Sequence, residues 1–212
     1  MKKTTILLAV AALMMGACCH KQEASTGSTA EAVVNNIMQR KSVRQYTGAP
    51  IAQDTLATIL RAAMAAPSAR DWRPWSFVVI DDKSQLESIF GDNMNMRMFR
   101  QAGAIVVVCA DTVHVSPTRE NPDGPAVPQV NSMWRDDMGA VCENLLLAVE
   151  AYGLGACWTA CYPFADRMAP VREALGLPPT VVPYAVVPIG IPTGDSQPKD
   201  KWDETRIHHN RW

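Results

Sequence analysis

Residues 104–111 read AIVVVCAD, an unbroken apolar run that meets its first charge only at Asp111. A strand with one face in water alternates apolar and polar positions; this run does not. It therefore predicts a central strand covered on both faces, and such a strand needs a layer of other elements on each side. The rest of the chain can supply them. Residues 32–40 read as a short helix. Residues 53–65 read as a helix capped by Asp54, with Leu56, Ile59, Leu60 and Ala63 on one face, ended by Pro67. WSFVVIDD (75–82) reads as a strand, and 83–91 and 93–102 as helices. Residues 114–130 hold four prolines and read as a loop, long enough to be functional or mobile. Residues 134–155 form a long helix with an apolar second half, stopped by Gly153 and Gly155. A strand starts at GACWT, 164–175 is a helix, 181–192 is a strand, and the tail from Thr193 is irregular. This alternation gives an α+β or α/β sandwich with the sheet in the middle.

The first residues are not part of that fold. Lys2 and Lys3 precede the apolar run TTILLAVAALMMGA, which stops at Cys18. A charged start, a short apolar core and small residues before a cut read as a secretory signal over residues 1–17, too short for a permanent membrane span. MGAC resembles a bacterial lipobox, which makes Cys18 the lipidated residue; a plain secreted protein cut nearby is the other reading. Residues 18–32 read as a small, polar tether, leaving one domain over 33–212. The expected location is the cell envelope, with the membrane reached only through the lipid. A net charge of −1 gives no reason to expect nucleic acid. Cys157 and Cys161 are four apart with no nearby His, so no metal site is expected, while a disulfide stays open.

The segment RKSVRQY (40–46) puts three cations and a hydroxyl within five positions of a nearly neutral chain. It reads either as a solvated helix end or as a phosphate site, since a phosphate favours guanidinium forks, an ammonium and a hydroxyl donor. Further on come APSARDWRPWSFVVI (66–80), NMRMFRQAGAIVVVC (95–109), GLGACWTACYP (153–163) and PIGIPTGDSQPKDKWDE (188–204). GLGACW lacks the spacing of a dinucleotide fingerprint and follows a helix. In their order and spacing, however, these segments together resemble the nitroreductase family of FMN-dependent oxidoreductases, from about residue 33 to the end.

The resemblance implies an α+β fold, a three-layer α/β/α sandwich with a central mixed sheet, assembled as a homodimer with FMN at the interface. It assigns Arg40, Lys41, Ser42 and Arg44 to the FMN phosphate and ribityl chain. Lys199 and Lys201 match the family's late K-x-R segment, with Lys201 in place of Arg; without the family they would read as solvated tail lysines. Pro67, Ser68 and Ala69 match the segment along the flavin. There the family's Asn is Asp71 and its Gln is Arg73. An ionised Asp only accepts hydrogen bonds, so Asp71 pairs with Arg70 or Arg73 or accepts from the cofactor. Arg97 stands where the family places a cation near flavin N1 and O2, a surface arginine being the plain alternative. Trp158, Thr159, Ala160 and Cys161 should run over the flavin edge, with backbone N–H groups holding N5 and O4. Trp72 and Trp75 read as packing, and His208 and His209 as tail packing.

No side chain is then expected to do covalent chemistry. FMN would carry hydride chemistry in a ping-pong cycle between a small-molecule donor and acceptor. The helix 139–152 reads as the dimer core, and the loop 114–130 as a substrate lid, with His114, Trp134 and Arg135 as substrate candidates. The donor is expected to be NAD(P)H or, because NAD(P)H is cytoplasmic and the signal points to the envelope, a different donor found there. The alternatives are a flavin- or ligand-binding lipoprotein without turnover, and the same fold running another reductive or dehydrogenation reaction.

Overall fold

The computed structural model describes residues 28–90 and 96–212. The expected signal over 1–17, Cys18 and most of the tether lie outside the described residues. In chain order the elements are α1 (Thr29–Gln39), α2 (Gln53–Ala63), β1 (Trp75–Ile80), α3 (Leu86–Phe90), α4 (Met96–Gln101), β2 (Ala104–Asp111), β3 (Val113–Ser116), β4 (Val127–Val130), α5 (Trp134–Ala151), β5 (Gly155–Ala156), β6 (Thr159–Ala160), α6 (Ala165–Ala174) and β7 (Val181–Gly190). Among the described residues, no helix is long and apolar enough to cross a membrane.

The run AIVVVCAD is β2, and it lies inside the sheet. It pairs antiparallel with β1 on one side and with β7 on the other, and β5 and β6 pair with β7. Its side chains divide by parity, as a pleated strand requires. Ala104, Val106, Val108 and Ala110 pack with Leu56 and Ile59 of α2 and Met138, Val141 and Leu145 of α5. Ile105, Val107 and Cys109 pack with Ile89 and Phe90 of α3, Phe99 of α4 and Val171 of α6. The sheet therefore carries a separate apolar core on each face, and each fully buried Val or Ile contributes roughly 1.5–3 kcal/mol. The expected three layers are present, and all strand pairs named above are antiparallel, with one parallel bridge between Ser42 and Ala156.

Several boundaries differ from expectation: α2 has Ala52 rather than Asp54 at its N-cap, and the strand expected over 181–192 ends at Gly190. Residues 28–31 are not tether: Ser28 caps α1, its hydroxyl accepting from the Glu31 N–H while the Glu31 carboxylate accepts from the Ser28 N–H. The expected loop 114–130 is instead largely a hairpin, β3 paired antiparallel with β4, with Val113 opposite Val130 and Ser116 opposite Val127, and the loop proper is confined to 117–126. The long helix is shorter, ending at Ala151. Its apolar positions Val141, Cys142, Leu145, Leu146 and Val149 are consumed by the chain's own core.

Candidate cofactor site

RKSVRQY starts at the end of α1, where Arg40 is the C-cap and its N–H donates to the Asn36 carbonyl at 3.2 Å, but beyond that residue it is not helical. It is an extended strap laid on the sheet edge. The Val43 N–H donates to the Ala156 carbonyl at 2.8 Å, Thr47 N–H to Ile191 at 3.0 Å, and Thr193 N–H to Gln45 at 3.0 Å. Val43 and Tyr46 point inward and are buried, with the Tyr46 hydroxyl donating to the Val43 carbonyl at 2.5 Å. Burial pushes the Tyr46 phenol well above its ordinary value, so it stays a neutral donor. The close approach needs glycine twice. A Cβ on Gly155 would lie 2.7 Å from the Val43 side chain, and one on Gly190 would lie 2.9 Å from Tyr46.

With Val43 and Tyr46 inside, the polar members of the strap face a cleft of about 250 Å³. It is lined by Arg40, Lys41, Ser42, Arg44, Gln197, Lys199 and Lys201. Lys199 and Lys201 lie more than 150 positions after the strap in the chain, and folding brings them to it. Five cations, a hydroxyl and an amide converge here, and no carboxylate is among the lining residues. Two of the cations are held from behind by α5: Arg40 Nε lies 3.3 Å from Glu143 and Lys41 Nζ 2.7 Å from Glu150. Arg40 keeps its terminal amino groups, and Lys41 one of its three donors after a bond to the Gln39 carbonyl at 3.2 Å. This donor set fits the phosphate of a mononucleotide.

Pro67, Ser68, Ala69 and Asp71 sit on the turn between α2 and β1. Arg70, Asp71 and Arg73 all adopt left-handed backbone, with φ of 57°, 55° and 48°. Such strain persists only where the surroundings over-determine it. Here Ser68 Oγ accepts from the Arg73 N–H at 3.0 Å, and the Ala69 N–H donates to Asp137 of α5 at 2.8 Å. Of its expected partners Asp71 takes Arg73: Arg73 Nε donates to its Oδ1 at 2.7 Å, with a second bond from Arg73 Nη2 to Oδ2. That hydrogen bonding holds the Asp71 carboxyl below its usual range. Asp137 was not found from sequence. It is buried, and its Oδ2 has no hydrogen-bond partner among the described residues.

Trp158, Thr159, Ala160 and Cys161 continue from the strap's neighbour Ala156 along β7. The Cys161 N–H donates to the Tyr184 carbonyl at 3.1 Å, and the Ala160 carbonyl accepts from Arg167 at 2.9 Å. The Cys161 amide is therefore spent inside the fold. Its thiol is buried, and desolvation pushes it up to about 12. Cys109, Cys142, Cys157 and Cys161 are all free thiols. Arg97 is an exposed residue of α4.

The three substrate candidates separate. Trp134 is buried and packs edge-on against Tyr162 and Tyr184, with centroids 4.9 and 6.0 Å away. Arg135 lies over the Trp134 ring at 4.7 Å and donates to the Tyr162 hydroxyl at 2.8 Å. Both belong to an aromatic cluster at the start of α5, which Trp158 joins through Tyr184. His114, on β3, stacks on Trp72. Among the described residues, no group of His, Cys, Asp or Glu side chains could hold a metal ion.

The comparisons with known proteins agree on one family. The family model described as "Nitroreductase family" matches residues 37–95 and 90–191. An Archaeoglobus fulgidus protein, provisionally named an NADH dehydrogenase/NAD(P)H nitroreductase, is 34% identical over 86% of this chain and 99% of its own. The crystal structure of a Bacteroides thetaiotaomicron protein provisionally given the same name is 39% identical, with a TM-score of 0.74 over 85% of this chain and 98% of its own. A Bacillus subtilis FMN reductase [NAD(P)H] is 26% identical over 84% of this chain and 72% of its own. The chain belongs to the nitroreductase family.

Proposed function

We propose that this protein is an FMN-dependent oxidoreductase that passes electrons from a reduced donor, NAD(P)H in the test tube, to a nitroaromatic, quinone or similar small acceptor by a ping-pong cycle. The observation that carries the reading is the cleft of five cations without a lining carboxylate, built from two ends of the chain. Arg40, Lys41, Ser42, Arg44, Lys199 and Lys201 hold the phosphate. Pro67, Ser68, Ala69 and Asp71 flank the isoalloxazine, with Trp158, Thr159, Ala160 and Cys161 along its edge and Arg97 as the cation near it. Bound FMN supplies hydride chemistry at its ring; the protein binds and orients it, and burial keeps the Cys161 thiol protonated. The test compares FMN with riboflavin on flavin-free protein. FMN should bind at least about a hundredfold tighter, because riboflavin lacks the dianion these charge-assisted bonds address. Equal affinities would remove the phosphate assignment.

Homodimerisation belongs to the same proposal. Val33, Val34, Ile37 and Met38 of α1 are exposed, as are Trp202, Ile207 and Trp212 of the tail. Apolar exposure of this extent on α1 and on the tail supports a second copy as the cover. Sedimentation at micromolar protein should give twice the monomer mass. Export and lipidation at Cys18 are also proposed, supported by the charged start and the apolar run before MGAC. Palmitate labelling that survives Cys18→Ala would refute that assignment. One observation favours the reading without turnover: Asp71 and Arg73 bind each other where the family has uncharged amides. Bound FMN that no donor reduces would select it.

A further inference from the structure

A second cleft, sharing no lining residue with the cationic one, lies between the turn after α2 and the β3–β4 hairpin. It has a volume of about 270 Å³ and is lined by Arg70, Trp72, Ser116, Pro117, Arg119 and Gln129. We propose that it is an anion-recognising subsite that takes a small planar molecule bearing a carboxylate, sulfonate or phosphate group.

The wall is built rather than incidental. The Arg70 guanidinium lies 4.8 Å over one region of the Trp72 indole. The Trp72 ring also stacks on His114 of β3, with centroids 4.7 Å apart and planes 16° from parallel. Arg70 reaches this position from a left-handed backbone, φ 57°, that the bonds from the Arg73 N–H to Ser68 and from the Ala69 N–H to Asp137 help to hold. On the hairpin side, the Gln129 amide nitrogen donates to the Ser116 carbonyl at 3.0 Å, the Ser116 hydroxyl at 2.9 Å and the Pro117 carbonyl at 3.1 Å. That ties the mouth of the hairpin and fixes the end from which Arg119 departs. Loop and hairpin therefore present two guanidiniums to one space.

Among the described residues, no ion pair balances the charge of Arg70 or Arg119. No carboxylate lines the cleft, and Asp71, the acid next to Arg70 in the chain, is engaged by Arg73. Glu120 and Asp123 are exposed on the same hairpin but are not among the lining residues. Two guanidinium forks facing one space match a planar anion: the forks address its charged oxygens, and the Trp72 indole, itself packed on His114, holds Arg70 in place. The volume is small for a whole ligand and suits one ring or one charged group.

The inference rests on the oxidoreductase reading for the identity of the ligand, which is then one of the two redox partners. Its anion could belong to the acceptor or to a phosphate of the dinucleotide donor. The test uses the FMN-loaded protein and the variants Arg70→Gln and Arg119→Gln. Rates are measured with 4-nitrobenzoate and its neutral analogue 4-nitrobenzamide, with NADH and NADPH in turn, and benzoate and benzamide binding is followed by calorimetry.

Each variant should lower the preference for 4-nitrobenzoate over 4-nitrobenzamide, in kcat/KM, by about tenfold, the size of one charge-assisted hydrogen bond. A comparable rise confined to the donor's KM supports the same anion site and assigns it to the dinucleotide. Loss of both acceptors in equal proportion, with donor KM unchanged, overturns the proposal. If no donor reduces the protein, the oxidoreductase reading fails by itself. Benzoate binding that exceeds benzamide binding and needs Arg70 and Arg119 would still uphold the subsite, and its absence would end it.

Discussion

Lys41 Nζ lies 2.7 Å from a Glu150 carboxylate oxygen while lining the cationic cleft. The carboxylate orients the ammonium, and it also offsets part of the charge that the phosphate would meet. Gln at 150 keeps an acceptor for Lys41 and removes the negative charge. Glu150→Gln should therefore tighten FMN binding about threefold at low salt and leave riboflavin unaffected, while Lys41→Ala weakens FMN about tenfold. Fluorescence titration of flavin-free protein measures both. Weaker FMN binding in Glu150→Gln would mean that orientation outweighs charge.

Gly155 admits the strap. A Cβ there meets Val43 at 2.7 Å, and Val43 Cβ, rather than the far end of a flexible chain, is among the atoms met. Gly155→Ala should destabilise the fold by about 1–3 kcal/mol through overpacking. It should also loosen FMN, because the displaced strap carries Arg40, Lys41, Ser42 and Arg44. Urea unfolding and flavin titration on the same preparation check both.

Asp137 joins α5 to the strained turn through the Ala69 N–H. Asp137→Ala leaves that amide without its acceptor and should cost about 1–3 kcal/mol in urea unfolding. Asp137→Asn keeps a carbonyl oxygen and should cost less than half as much. An Ala variant as stable as the parent would show that the turn does not depend on this bond.

The thiols of Cys109, Cys142 and Cys161 are all pushed up to about 12, first by burial. Iodoacetamide at pH 8 should leave all three unmodified in the folded protein and label them after denaturation, as mapped by mass spectrometry. The sign for stability follows. The folded state holds these protons more tightly than the unfolded chain, whose thiols titrate near 9.0. Stability from this source is intact below pH 9 and falls as pH rises from there towards 12. Midpoints in urea that do not move between pH 8 and pH 10 would contradict it.

The core was legible because its signals are local. An apolar run without alternation marked β2, and helical spacing marked α2 and α5. The hairpin was missed because its strands are four residues each and β4 contains Pro128. Ser28 and Glu31 carry a capping-box spacing, yet the small polar residues before them pulled the reading towards tether. At the site, the cations of 40–44 and 199–201 were found through the ordered segments. Asp137, Glu143 and Glu150 were not, because each looks like an ordinary charge on a long helix and its partner is remote in sequence. Trp134 and Arg135 illustrate the reverse. They drew attention as an aromatic and a cation beside the expected lid, whereas Tyr162 and Tyr184, which occupy them, lie far along the chain.

The most direct test of the central claim is an absorbance spectrum of the purified protein, followed by anaerobic titration with NADH and NADPH. The account predicts flavin absorbance that bleaches on reduction and returns when a nitroaromatic or quinone is added. A colourless protein that takes up no added FMN would contradict it, and the strap at 40–46 would then be a charged sheet edge without a ligand.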